Sequence, residues 1–237
     1  MSAPLLEVRD LSQAFGAMLA VNNLSFEVYP GEVFGVAGPN GAGKTTLFNV
    51  ITGFLPGTGA VLFEGLNINH LKPHQICRNG IARTFQIPQV FSTLDVFNNV
   101  RFGAHFGNPH LKNENQVIRD AIDFVGLKGK EIAIAGNLDL FHKKSIMIAA
   151  ALATVPKLLL LDEPIGGLSP TEIGPLIRLI QRINKELGIT IIVIEHLMKA
   201  LKELSHRLMI LHYGEMIRIG TPEEVMVDKK VREVYLG

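Results

Sequence analysis

Apolar positions along the chain gather into short runs separated by polar, glycine-bearing stretches. Residues 5–9, 25–28, 33–37, 158–161, 190–194 and 208–211 read as strands, with helical patterns between them. That alternation predicts an α/β fold. Four leucines before Asp162 and the run of Thr190, Ile191, Ile192, Val193 and Ile194 are continuously apolar. Such runs belong to central parallel strands covered on both faces, since a half-exposed strand would alternate. After Ser169 and Pro170, the residues Ile173, Leu176, Ile177, Ile180, Ile183 and Leu187 recur with the helical period, and Gly188 ends the helix. Residues 90–155 differ in texture: a polar helical stretch around 113–127, then an alanine-rich segment at 146–153. They are expected to form an inserted helical subdomain between core segments 1–89 and 156–237 of a single domain.

Composition narrows the possibilities. Of the 237 residues, 47% are hydrophobic and only 19% charged, against about 25% charged in an ordinary soluble domain. The longest apolar stretch spans ten residues, from Ile146 to Val155, interrupted only at Thr154. That is half of the roughly 20 residues a membrane-spanning helix needs. Glu7, Arg9 and Asp10 arrive before any apolar leader core develops, so no secretory signal is expected. Cys77 is the single cysteine, which agrees with a reducing compartment and a cytoplasmic location. The net charge of +1 lacks the basic excess of a duplex-binding protein, so nucleic acid is not an expected partner.

The chemistry starts at Gly38. Gly38, Pro39, Asn40, Gly41, Ala42, Gly43, Lys44 and Thr45 match G-x-x-x-x-G-K-[ST] directly after one apolar strand and directly before a helical pattern. Backbone N–H groups of such a loop turn toward phosphate oxygens, and the next helix adds its positive end. Lys44 is expected to neutralise phosphate charge and Thr45 to ligate Mg²⁺, with Thr46 completing the cradle for ATP. Asp162 and Glu163 end another strand, at the edge where open parallel sheets bind ligands. Asp162 is expected in the Mg²⁺ shell and Glu163 beside the attacking water.

Together with Gln86 in the run Ala82, Arg83, Thr84, Phe85, Gln86, and His196 after Ile194 and Glu195, these motifs resemble the nucleotide-binding subunits of ABC transporters nearly end to end. The resemblance implies a P-loop NTPase (RecA-like) core with an antiparallel β subdomain and an inserted helical subdomain. It further implies that Gln86 contacts Mg²⁺ and water and moves with a transmembrane permease, that His196 senses the γ-phosphate, and that Phe15 stacks on adenine. Finer wording is similar to the ATPases of branched-chain amino-acid importers: Phe15 and Gly16 followed by residues 20–26, then 80–86, 135–138, 220–224 and the closing Tyr235, Leu236 and Gly237. Urea-type importers and the lipopolysaccharide-export ATPase share parts of it. The implied location is the inner face of the cell membrane, held there through the permease.

One segment departs from the family. Its signature, Leu-Ser-Gly-Gly-Gln, stands 24 positions before the strand-end Asp, where this chain reads Leu138, Asp139, Leu140, Phe141, His142. In the family each signature caps the γ-phosphate held by the facing subunit. A carboxylate about 4 Å from that phosphate would repel it by about 4 kcal/mol per charge pair at an effective dielectric near 20. Phe141 also removes the close backbone approach that glycine allows. The resemblance therefore implies a heterodimer: a partner with a regular signature completes the site of Lys44 and Glu163, and the opposite site is degenerate. A weakly hydrolysing regulatory ATP-binding module stays open as an alternative. The loop after Glu163 ends in Ser169 where the family has Asp or Asn.

Other signals weigh less. His70, His74 and Cys77 have helical spacing, but Pro73 predicts a helix start that leaves His70 outside it. Lys143 with Lys144, and Lys229 with Lys230, are expected to be solvated charges. The run 87–100, with Val90, Phe91, Leu94, Val96 and Phe97, reads as ordinary core by pattern alone, whereas the resemblance implies the permease-loop groove that the family places there.

Overall fold

The computed structural model describes residues 3–236, the last two by backbone alone, so Gly237 and the Tyr235 and Leu236 side chains lie outside the described residues. Along the chain come β1 (Leu6–Phe15), β2 (Met18–Val28), β3 (Val33–Ala37), α1 (Lys44–Ile51), β4 (Thr58–Phe63), β5 (Leu66–Asn67), α2 (Pro73–Arg78) and β6 (Ile81–Arg83). Three helices follow, α3 (Val96–Gly107), α4 (Glu114–Phe124) and α5 (Leu140–Leu152). The chain then returns through β7 (Leu158–Asp162), α6 (Pro170–Leu187), β8 (Thr190–Ile194), α7 (Met198–Leu204), β9 (Arg207–His212), β10 (Glu215–Gly220), α8 (Pro222–Val227) and α9 (Lys229–Leu236).

Two sheets result. The larger has the order β10-β9-β3-β8-β7-β6, with parallel pairing from β9 through β6 and β10 antiparallel at one edge. The smaller is an antiparallel sheet in the order β2-β1-β4-β5. The continuously apolar runs are indeed central. Leu159, Leu161, Ile191 and Val193 enter one apolar cluster, shared with α3 to α6. Leu158, Leu160, Ile192 and Ile194 enter a second, shared with α1 and the smaller sheet. Successive residues of β7 thus feed opposite cores, which is why the strand needs an aliphatic side chain at every position.

The helix predicted after Ser169 is α6. Ser169 and Glu172 form a capping box at its start, and Gly188 takes the left-handed conformation at its end. Ser169 therefore has a capping role in place of the Asp or Asn expected there. Pro73 opens α2, with His70 before it. The run 87–100 is split: Val96 and Val100 are fully buried, whereas Ile87 and Phe91 are exposed. Lys229 and Lys230 are exposed, but Lys144 contradicts its expectation. It is 1% exposed, because the inward face of α5 carries it under the loops that follow β6 and β7.

Candidate active site

The parallel strands all end at one edge of the large sheet, and four of them deliver chemistry there. The loop after β3 carries Gly38 to Gly43, and those after β6, β7 and β8 carry Gln86, Glu163 and His196. β7 lies between β6 and β8 in register, with Asp162 opposite Ile194. One cavity of about 400 Å³ is lined by Asn40, Gly41, Ala42, Gly43, Lys44, Thr45, Gln86, Glu163 and His196. Residues up to 156 positions apart (His196 less Asn40) meet because the strand order interleaves them.

The loop after β3 owes its path to two glycines. Gly38 has φ 154°, and a Cβ there would stand 2.2 Å from the Leu211 carbonyl oxygen. Gly43 has φ 102°, and a Cβ would stand 2.1 Å from the Ala20 carbonyl oxygen. Neither contact is physically possible, so only glycine brings this loop against β2 and β9. α1 begins at Lys44 with no side-chain cap and no acidic residue in its first turn. Its leading N–H groups therefore remain available to an anion. Lys44 Nζ donates to the carbonyls of Gly38 at 2.7 Å and Pro39 at 2.9 Å. Burial pulls the Lys44 ammonium below its ordinary range, opposed by Glu163 and Asp162. Thr45 is exposed toward the cavity and Thr46 is half-buried.

Glu163 is held from several sides. Its backbone is left-handed, φ 46°, a conformation that costs a non-glycine residue roughly 1–2 kcal/mol. The side chain accepts from Gln86 Nε2 at 2.6 Å through Oε2, and Oε1 meets His196 Nε2 at 2.5 Å. Asp162, one residue earlier, is buried and accepts from Arg83 Nη2 at 2.9 Å. Burial pushes its carboxyl above the usual range, and the Arg83 guanidinium opposes that shift. Arg83 also donates to Asn49 Oδ1 at 2.7 Å and Thr52 Oγ1 at 3.2 Å. This ion pair joins β6, and through it the Gln86 loop, to the end of β7.

Residues 21–166 match the family described as ABC transporter. The chain belongs to the ABC transporter family. It is an ABC-type ATPase, the ATP-binding subunit of a transporter. The high-affinity branched-chain amino acid transport ATP-binding protein LivG of Escherichia coli K12 is 35% identical over 253 aligned positions, covering 100% of this chain and 99% of that protein. BraF of Pseudomonas aeruginosa, of the same description, is 34% identical over 256 positions, with 100% and 99% covered. Among solved structures, an ATP-binding cassette of an ABC transporter in its ADP conformation superposes with a TM-score of 0.91 at 30% identity, covering both chains completely. The cbiO1 protein of Clostridium perfringens, part of the ABC transporter complex cbiONQ, gives 0.86 at 31% identity, covering 99% of this chain and 96% of that one.

Against that family background, the sequence-predicted residues outside the cavity lining are Gly38, Pro39, Thr46 and the buried Asp162, each within two residues in sequence of a lining residue, together with Phe15 and the segment 138–142. Phe15 ends β1, pairs with Met18 across the hairpin turn, and is 46% exposed. The same hairpin reaches the phosphate loop through the Ala20 carbonyl beside Gly43. Residues 138–142, expected to be an altered signature, lie at the start of α5, with Leu138 just before it and Leu140 packed near Gly167. Asp139 is the N-cap: its carboxylate accepts from His142 N at 2.9 Å and meets His142 Nδ1 at 2.7 Å. The backbone hydrogen bond holds its carboxyl below the usual range. Phe141 is half-buried and packs against the main apolar cluster. The N-terminal end of α5 thus already holds an anion of its own.

Sequence reasoning missed three residues of this neighbourhood. Arg83 stands within the quoted run yet carries no motif signal, and Glu195 is a buried carboxylate accepting from Ile165 N at 2.6 Å and His196 N at 3.2 Å. Lys144 Nζ donates to the Glu163 carbonyl at 3.2 Å. Their partners are distant in sequence or belong to the backbone, so no local pattern marks them. No helix among the described residues is long and apolar enough to cross a membrane.

Proposed function

We propose that the chain hydrolyses ATP to energise an importer of branched-chain amino acids, working on the inner face of the membrane beside a permease and a second, different ATPase. The observation that carries the catalytic reading is the single cavity joining the phosphate loop to Glu163, Gln86 and His196. The solute follows from relatives of that description along the full chain. Residues 38–46 cradle the phosphates, with Lys44 swinging from the loop carbonyls to the anion. Phe15 supports the base, and residues 90–155 act as the helical subdomain.

Mg²⁺ fits the donor set. Thr45 offers a hydroxyl and Gln86 an amide oxygen, its nitrogen being turned to Glu163. Asp162 offers the oxygen not engaged by Arg83. These are hard oxygen ligands, and Mg²⁺ commonly takes one or two carboxylates plus phosphate and water. When bound, it neutralises charge on the phosphates. Glu163, fixed by Gln86 and His196, orients the water whose oxygen attacks the γ-phosphorus as the bond to the bridging oxygen breaks. His196, which lines the same cavity, takes the part of monitoring the γ-phosphate.

The exposed Phe91, Phe102 and Phe106 rings lie in sequence, with centroids 4.5 and 5.8 Å apart. A cavity of about 250 Å³ beside them, lined by Leu94, Asn98, Arg101 and His105 among others, suits a permease loop. The self-capped Asp139 supports the asymmetric pairing, because a regular signature must then come from the partner. It also favours a second reading, a regulatory module that binds ATP and barely hydrolyses it. Glu163→Gln in the assembled transporter separates the two. Hydrolysis falls steeply while ATP binding persists if this site does the chemistry, whereas unchanged turnover rejects the catalytic reading.

A further inference from the structure

A lysine beside another lysine on a helix surface is ordinarily a solvated charge, and Lys144 is instead 1% exposed. Burying an ammonium is costly unless its donors are satisfied and negative charge lies near. Lys144 meets both conditions with groups of the active site. Nζ donates to the Glu163 carbonyl at 3.2 Å and makes a longer, 3.5 Å contact with the Gln86 carbonyl. The buried Glu195 carboxylate and Glu163 supply the compensating charge. Lys144 therefore touches the backbone of the two residues whose side chains hydrogen-bond to each other across the cavity.

We propose that Lys144 is a positioning residue for hydrolysis. Its ammonium locks the Glu163 and Gln86 carbonyls and thereby sets the direction of the Glu163 carboxylate. The backbone at Glu163 makes this necessary. A left-handed φ of 46° is costly for a glutamate, and relaxation of φ and ψ together toward the commoner conformations would redirect the Cα–Cβ bond and turn the carboxylate from the cavity, which anchoring the residue's carbonyl opposes. The Glu163 carbonyl also accepts from Gly166 N at 3.2 Å, so two donors fix the peptide plane. Glu195 steadies the same loop from its other side through Ile165 N. Because Lys144 sits on α5, five residues after Asp139, it also ties the helix bearing the altered signature directly to the hydrolytic carboxylate. The proposal rests on Glu163 being the residue that orients water.

The test is a set of variants in the complete transporter, with permease and partner ATPase present: Lys144→Met, Lys144→Arg, Glu163→Gln and the double variant Lys144→Met with Glu163→Gln. A misplacement of about 1 Å in a catalytic group costs on the order of 100-fold. Lys144→Met is accordingly expected to lower kcat by roughly 10- to 100-fold while KM and the Kd for ATP stay within about twofold. Lys144→Arg, which keeps the donors, should restore most of kcat. In the double variant, Lys144→Met should add no further loss. A kcat for Lys144→Met within twofold of wild type overturns the proposal, and so does an equal loss in KM and Kd. An arginine variant as impaired as the methionine one also overturns it. Should Lys144→Met fail to fold, Lys144→Gln takes its place under the same criteria. Wild-type turnover in Glu163→Gln instead removes the reading beneath the proposal, an outcome distinct from an inactive Glu163→Gln beside a fully active Lys144→Met.

Discussion

Replacing Arg83 by methionine tests whether the ion pair between β6 and β7 holds the site together. The side chains of Arg83 and Asp162 are only 5% and 4% exposed, and their contact is 2.9 Å. Removing one partner of such a pair leaves an uncompensated buried charge and costs about 3–5 kcal/mol. Arg83 also gives up hydrogen bonds to Asn49 and Thr52, and its packing over the Phe48 and Phe85 rings. In a domain of this size each kcal/mol moves the melting temperature by about 2–4 °C, so Arg83→Met should lower Tm by roughly 6–20 °C. The loss has a pH signature whose sign follows from Asp162. Without the guanidinium, burial and the neighbouring Glu163 charge act on that carboxyl against Lys44 alone, and its folded pKa rises further above the unfolded value. An acid whose folded pKa is raised carries its full penalty above the folded pKa, and the penalty shrinks as pH falls from there and is gone below the unfolded pKa. The gap between wild type and variant should therefore narrow on acidification from neutral pH. Circular-dichroism melts without nucleotide or Mg²⁺ read both effects. The double variant Arg83→Met with Asp162→Met, an apolar replacement of the whole pair, should recover much of the loss. A variant melting with wild type, or a gap that widens on acidification, refutes the reasoning.

Two further outcomes follow from single positions. Asp139→Ala removes the α5 N-cap and should cost about 1 kcal/mol, whereas Asp139→Ser should cost little, because serine also caps. The carboxylate's lowered pKa means its contribution is complete above the ordinary aspartate range and is lost as pH falls through the folded value, so acid melts of wild type and Asp139→Ala should converge. Gly43→Ala, with φ 102° and a Cβ 2.1 Å from the Ala20 carbonyl, should weaken ATP binding at least about tenfold, measured by nucleotide titration. Wild-type affinity there would mean the loop relaxes without consequence.

The elements legible in the sequence are those whose environment demands a single residue class. β3, β7 and β8 are covered on both faces, so every position is apolar or tightly packed and the runs stand out. α6 is amphipathic and capped at both ends, so its limits could be read to the residue. β1 and β2 extend well beyond the segments read as strands because their outer halves are largely solvated and mix polar with exposed apolar residues, held by pairing with each other. β6 has only three residues and β5 two, β4 carries a glycine, and β10 mixes glycine and charge with its aliphatics. Their strand character comes from tertiary pairing, which outweighs local preference. The same division applies to the site. The phosphate loop and the Asp162 and Glu163 pair are local patterns. Arg83 finds Asp162 79 positions away, and Lys144 finds backbone carbonyls on two other loops.

Glu163 shows how these non-local contacts bear on the pairing of subunits. Its N–H donates to Ile194, its carbonyl accepts from Lys144 and Gly166, and its carboxylate meets Gln86 and His196. Every polar group of the residue is thus satisfied within one chain, with its side chain already in the cavity that the phosphate loop lines. A site arranged this way needs no rebuilding of its own hydrolytic half when a partner docks. What the chain does not offer is an open helix end at α5, where Asp139 occupies the N–H group of His142 with its own carboxylate. Under the proposed pairing the two halves would call for opposite things from a second subunit: a regular signature over the phosphate loop of this chain, and no demand on the α5 start that this chain returns. Under the proposed head-to-tail pairing, two identical copies would set Asp139 against both bound phosphates, and the asymmetry we propose rests on that one helix cap.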